Sequence, residues 1–291
     1  MRGSAAAAAP VHVLLDPALP VEVADRVRPL LAGAGLEIRA TPPARLMLSR
    51  LPHGNEAPLR AVLFDGRLGA DVLPQLERPG PVLLLAAREE GTPSAWELQL
   101  LAEMLGDAPL LVRREGVRGL EVAAVSGLRT AAAMAEKVAR EHGAANTAAL
   151  RAADVSHELA ANALLDAPVG PDGKPRYAFH RSGGPIALED ACHVRFAHDS
   201  GRLLICAQDR FGRLRRGPLL NAVRKLWTPA RVEASGGGAG LGLLRCLQSA
   251  DLVAARVDAH RRTEVLCAVD LGPGRRRTEA PKSVLLVGVE P

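Results

Sequence analysis

Aromatic residues are scarce in this chain: Phe, Trp and Tyr together make up 2% of it. Surfaces that bind single-stranded nucleic acid use such side chains as stacking platforms. Neither a helix-turn-helix nor a zinc pattern is present, so nucleic acid is not expected as a partner. Cysteine is sparse too. Cys192, Cys206, Cys246 and Cys267 stand far apart with no paired spacing, which argues against a zinc site or a secreted disulfide framework and predicts buried reduced thiols. No uninterrupted apolar run approaches the roughly 20 residues needed to span a bilayer. Residues 1–10, an alanine run without periodicity, lack the apolar core of a signal peptide and read as a disordered start. The expectation is a cytoplasmic protein with no membrane anchor.

Apolar material, by contrast, is ample. The 291 residues are 48% hydrophobic, which suits two packed units. The formal charge of +5 comes almost entirely from arginine spread along the chain. That charge biases the protein toward anionic partners, and nucleotide phosphate satisfies it as well as DNA would.

Short apolar runs and helical stretches alternate at residues 11–15, 21–31, 36–39, 61–64, 70–76, 82–86, 95–105 and 110–112. This alternation predicts an α/β unit over 11–115, a doubly wound parallel sheet with crossover helices. Its strand-like runs are nearly continuous in Val and Leu, as strands covered on both faces should be. Residues 116–165 are alanine-rich with apolar positions at Leu120, Val122, Val125, Leu128, Met134, Val138, Leu150, Val155 and Leu159, a pattern that predicts helix broken near Gly143. Within it, 116–150 reads as a helical linker. The sequence leaves open whether this stretch packs inside the chain, joins two domains, or forms a homodimer through residues 119–150.

Residues 191–208 predict a β-hairpin with Asp199, Ser200 and Gly201 at its turn. An Arg- and Pro-rich loop follows, and then a glycine run, 236–240, leads into an apolar helix through Leu247. A second hairpin over 252–271 turns near His260. These elements predict an α+β sandwich over 151–291, with helices on one face of a mixed sheet.

Three pieces of that second unit carry chemistry. Glu158 and Asn162 are four residues apart and share one helix face. Oxygen ligands of this kind suit a divalent cation, beside a carboxylate able to orient or deprotonate an attacking group; alone, such a pair is ordinary on an exposed helix. Asp209 follows the apolar run 203–207 where a strand must end. A carboxylate there is placed to accept a hydrogen bond from an adenine amino group, although turn aspartates are common. Gly236, Gly237, Gly238, Gly240 and Gly242 precede or open a helix, where side-chain-free backbone amides make a phosphate seat.

In this order and at these spacings the pieces resemble the ATPase superfamily shared by gyrase, heat-shock chaperones, sensor histidine kinases and mismatch-repair proteins, often called GHKL. The resemblance spans residues 154–271. It implies a histidine-kinase-type fold and a Mg-ATP site in which Asn162 holds magnesium and Glu158 is the catalytic carboxylate. Asp209 would bind adenine, Gly212 would belong to the first glycine box, Gly240, Leu241, Gly242 and Leu243 would match the second, Gly236 and Gly238 would add further nucleotide-binding positions, and Thr263 would close the site. One departure stands out: the first glycine box carries Phe211 and Arg213 around the single Gly212, which leaves lid movement and affinity open. Between the boxes Arg210, Arg213, Arg215, Arg216, Arg224, Lys225 and Arg231 meet no acid before Glu233. They read either as a clamp for phosphates or as a solvated loop.

Ser156-His157-Glu158-Leu159 also looks like a sensor-kinase phosphoacceptor box. However, no second Asn box follows, and consecutive helical residues diverge by about 100 degrees, so His157 reads as a surface or packing residue. Residues 11–115 resemble a response-regulator receiver, with Asp16 and Asp65 at strand ends and Arg113 or Arg114 ending the fifth strand. Only one acid stands where a magnesium-binding pair is usual, and Ala86 or Ala87 stands where Ser or Thr is usual. Phosphorylation of Asp65 is therefore not expected, since such transfer relies on metal. The resemblances imply a signalling protein that binds Mg-ATP and either phosphorylates a partner, such as a sigma-factor or anti-anti-sigma-type regulator, or serves as a non-catalytic scaffold.

Overall fold

The computed structural model describes residues 12–15, 22–33, 37–38, 60–69, 72–88, 91–177, 180, 183–227, 239–273 and 280–290. Its first elements are β1 (His12–Leu15), α1 (Glu22–Gly33), β2 (Glu37–Ile38), β3 (Arg60–Phe64), α2 (Leu73–Leu76), β4 (Val82–Ala86) and α3 (Ala95–Met104). Then come β5 (Arg118–Val122), α4 (Val125–Glu141), α5 (Asn146–Ala161), β6 (Cys192–Asp199) and β7 (Arg202–Asp209). The last are α6 (Arg216–Trp227), α7 (Ala239–Ser249), β8 (Leu252–Asp258), β9 (Arg262–Asp270) and β10 (Ser283–Val287).

All the described strands lie in one mixed ten-stranded sheet, ordered β2-β1-β3-β4-β10-β8-β9-β7-β6-β5. The strands β1 to β4 run parallel, as the alternating pattern predicts. Among β5 to β9 every pairing is antiparallel. Strand β10 joins the two sets, antiparallel to β4 and parallel to β8. Side chains on successive strand residues point to opposite faces, and the apolar core divides accordingly. Val62, Leu84, Phe196, Ile205, Val253 and Val284 form one layer with α4 to α7. Leu63, Leu83, Leu204, Ala254 and Leu285 form the other with α1 and α3. Both layers run without a break across the sequence boundary drawn near residue 115.

Two local expectations are corrected. Residues 110–112 form a turn instead of a fifth parallel strand, with Leu111 at φ 65. The Leu110 amide is drawn to the Glu264 carboxylate at 2.8 Å, and Arg114 binds Glu103 and Asp199. The position beside β4 belongs to β10. The second correction is β5, an edge strand where helix was expected. Gly119 disfavours helix, and Val122 is buried opposite Cys192 of β6.

Helix α4 buries Leu128, Ala131, Ala135, Val138 and Ala139 at helical spacing. This face packs on α5, where the Ser156 hydroxyl donates to the Ala131 carbonyl at 3.0 Å. Its apolar stripe is thus covered within the chain. Both predicted hairpins form, the first turning through Ser200 at φ 47 and Gly201 at φ 73, the left-handed pair that a two-residue turn requires. All four cysteines are free and buried. Among the described residues no helix is long and apolar enough to cross a membrane.

A buried ion pair ties the halves together. Glu97 of α3, fully buried, receives Arg88 at 2.7 and 2.8 Å and the Ser283 hydroxyl of β10 at 2.5 Å. Arg88 also donates to the carbonyls of Pro281 and Asp251, both at 2.9 Å. Burial works against the Arg88 charge, but Glu97 outweighs it and the arginine pKa is raised. Removing one partner of such a pair strands the other in the core, so Glu97→Ala is expected to cost about 3–5 kcal/mol in urea unfolding. A loss below about 1 kcal/mol, the scale of an exposed pair, contradicts this role.

Candidate functional site

The site begins where α5 meets α7. Glu158 and Asn162 share a face of α5, and at Asn162 the helix widens into a π-helical turn, Asn162–Asp166, a distortion frequent at functional sites. Gly242 of α7 lies directly against the pair: a Cβ there would stand 2.7 Å from Glu158 Oε2 and 3.4 Å from Asn162 Oδ1. Only glycine allows this approach. Arg245, one turn further along α7, donates to Glu158 Oε1 at 2.5 Å, its own side chain 68% exposed and that of Glu158 17%.

Asp209 ends β7 and is paired in register with Thr263 of β9. Both are buried. Asp209 Oδ1 accepts the amides of Phe211 at 2.8 Å and Gly212 at 3.4 Å. Burial pushes the Asp209 carboxyl up, and it stays raised although these amides and Thr263 favour the charged form. Thr263 Oγ1 is buried without a hydrogen bond of good geometry; it acts on Asp209 by proximity. Gly212, at φ +60, seats the turn on the β8–β9 hairpin, where a Cβ would lie 2.7 Å from His260 N. One glycine therefore suffices to place Asp209.

Two cavities adjoin here. The smaller, about 370 Å³, has apolar walls including Leu159, Ala163, Leu243 and Val265, with Asp209 and Thr263 among its lining. The larger, about 580 Å³, is lined by Arg129, His157, Glu158 and Arg245. Asn162 and Asp166 belong to both. Glu158 thus lines the larger cavity and Asp209 and Thr263 the smaller, with Asn162 in the wall of both. Gly240 and Leu241 lie in the first turn of α7, Leu241 exposed; Gly236 and Gly238 lie outside the described residues. Although expected to face apart, His157 and Glu158 line the same cavity.

The basic segment is not simply a clamp. Arg216 is buried and donates to the carbonyls of Val289 at 2.7 Å and Leu76 at 3.2 Å, and to those of Arg78 and Gly80. Arg224 pairs with Glu77 at 2.6 Å, and Arg215 stands 3.8 Å from Glu290. The acids missing from the local sequence come from distant segments. Arg213 and Arg215 do line the smaller cavity; Arg231 lies outside the described residues. Sequence reasoning missed Arg129 and Arg245. Only the spacing of Arg245, three residues after Gly242, placed it near the Glu158 face.

In the parallel half, Asp65 is 52% exposed at its side chain and accepts the Arg67 amide at 2.8 Å. Asp16 lies outside the described residues. Among the described residues no group of three acidic, His or Cys side chains is arranged to hold a metal ion.

The raised pKa of Asp209 fixes a sign for stability. Unfolded, this carboxyl ionises near the ordinary aspartate value of 3.8; folded, it ionises at higher pH, so its charge opposes folding above that range. Asp209→Asn is expected to stabilise the free protein at pH 7. The gain should shrink as pH falls through the folded pKa and vanish below the unfolded one. Thermal melts across pH check this, and an equal or negative effect at pH 7 contradicts it.

No protein-family model and no curated protein matches the chain.

Proposed function

We propose that the chain binds Mg-ATP across the two adjoining cavities, in the manner of the histidine-kinase-like ATPases it resembles. The observation that carries this reading is the buried Asp209–Thr263 pair lining an otherwise apolar space of about 370 Å³. Apolar walls suit a purine ring, while a carboxylate and an unbonded hydroxyl suit its amino group and ring nitrogens. Asn162, common to both cavities, would hold magnesium through its carboxamide oxygen, with phosphate oxygens and water completing the shell. The backbone at Gly240 and Gly242, in the first turns of α7, would face the phosphates. ATP would supply a transferable phosphoryl group. Glu158 would orient or deprotonate an acceptor on a partner protein, and the parallel half would offer a docking surface for signalling partners.

A specific observation also favours a second reading. Glu158 is engaged by Arg245 at 2.5 Å, and a carboxylate oxygen held in an ion pair is not free to contact an acceptor. In this form the chain would hold nucleotide without turnover, as a scaffold. Incubation with labelled ATP and a lysate separates the two, since only the kinase reading yields a labelled acceptor.

For the binding claim, loss of the Asn162 ligand should weaken magnesium-dependent ATP binding by about 10–100-fold, the scale of one charge-assisted contact. Calorimetry on wild type and Asn162→Ala measures it. Affinity that is independent of magnesium and unchanged in the variant contradicts the proposal.

A further inference from the structure

The larger cavity holds two arginines that a nucleotide site at Asn162 does not require. Arg129 of α4 and Arg245 of α7 line it, together with His157 of α5. Arg129 is exposed and has no hydrogen-bond or ionic partner among the described residues. Among the described residues the one ionic partner of Arg245 is Glu158, and the arginine side chain is 68% exposed. An arginine this exposed exchanges ionic partners at little cost. Val125, Leu128, Ala161 and Leu165 give the same cavity an apolar lining, so it offers walls for a peptide segment as well as charges.

We propose that this cavity admits an acidic, hydroxyl-bearing segment of a partner protein and that Arg245 is a latch on Glu158. Carboxylates of the incoming segment bind Arg129 and draw Arg245 off Glu158, leaving that carboxylate free only when an acceptor is in place. The inference rests on the Mg-ATP reading above. Its chemical step balances within the named groups. The acceptor oxygen bonds to the γ-phosphorus, and the bond from that phosphorus to the β–γ bridging oxygen breaks. ADP leaves with the electron pair, and the hydroxyl proton passes to Glu158. The exposed latch explains why a carboxylate placed for catalysis is found paired: until the segment arrives, Arg245 keeps it from activating water.

The test uses the full chain loaded with a non-hydrolysable ATP analogue and two fluorescent serine peptides, one flanked by aspartates and one by lysines. Anisotropy should show the acidic peptide binding at least about tenfold tighter, and Arg129→Gln should remove about tenfold of that affinity. Arg129→Lys should restore much of it, and Arg245→Gln should also weaken the acidic peptide. Calorimetry on the same Arg129 variants should show a much smaller change for ATP itself. Equal binding of the two peptides overturns the inference while leaving the nucleotide reading intact. A loss of ATP affinity in Arg129→Gln as large as the loss for peptide also overturns it, because Arg129 then holds phosphate. No ATP binding by the wild-type chain sinks the nucleotide reading and the inference with it.

Discussion

Strand β10 lies between β4 and β8, antiparallel to one and parallel to the other, and the rest of the architecture hangs on that insertion. Without it the parallel set and the antiparallel set would each present an open edge, which proteins avoid leaving uncovered. Its surroundings are held from both sides. Ser283 donates to Glu97 and accepts the Ala86 amide at 2.9 Å. Lys282, just before it, donates to the Ala250 carbonyl at 2.8 Å. Just after it, the Val289 carbonyl receives the buried Arg216, which anchors the start of α6. Helix α6 and the cavity wall formed by Arg213 and Leu214 are thereby referred to the parallel half of the sheet.

The candidate site departs from the rules that stabilise the rest. Most of the core is aliphatic and alternates faithfully, whereas Asp209 and Thr263 are polar and buried, and the Thr263 hydroxyl has no hydrogen-bond partner among the described residues. Local violations of this kind concentrate where a ligand is bound. The close approach of α7 to α5 has the same character. Gly242 weakens helix propensity by about 1 kcal/mol relative to alanine, and in return Glu158 and Asn162 gain room beside α7. Glu158 itself is held by an exposed arginine rather than a buried one.

Much of the site was legible because it depends on short-range spacing. The four-residue step from Glu158 to Asn162, the acid after the run ending at Ala207, and glycine at the start of a helix are all local signals. The hairpins were legible for the same reason, since Ser200 and Gly201 encode their turn. What sequence could not supply is partner choice over long separations. The run at residues 283–287 carries no sign that β4 and β8 are its neighbours. Residues 110–112 look like a strand until Glu264, from a distant hairpin, takes the Leu110 amide. Alanine content hid β5, and no local cue showed that Arg216 is buried against four carbonyls. Arg129 escaped notice because its cavity exists only once α4 has folded back on α5.

The central claim is that the space between Asp209 and Glu158 is a nucleotide site. A crystal structure with manganese and a non-hydrolysable ATP analogue tests it most directly. The account predicts the adenine amino group within about 3 Å of the Asp209 carboxylate and the metal, located by its anomalous signal, about 2.1 Å from Asn162 Oδ1. Nucleotide bound elsewhere on the protein, with Asp209 and Thr263 untouched, would contradict it.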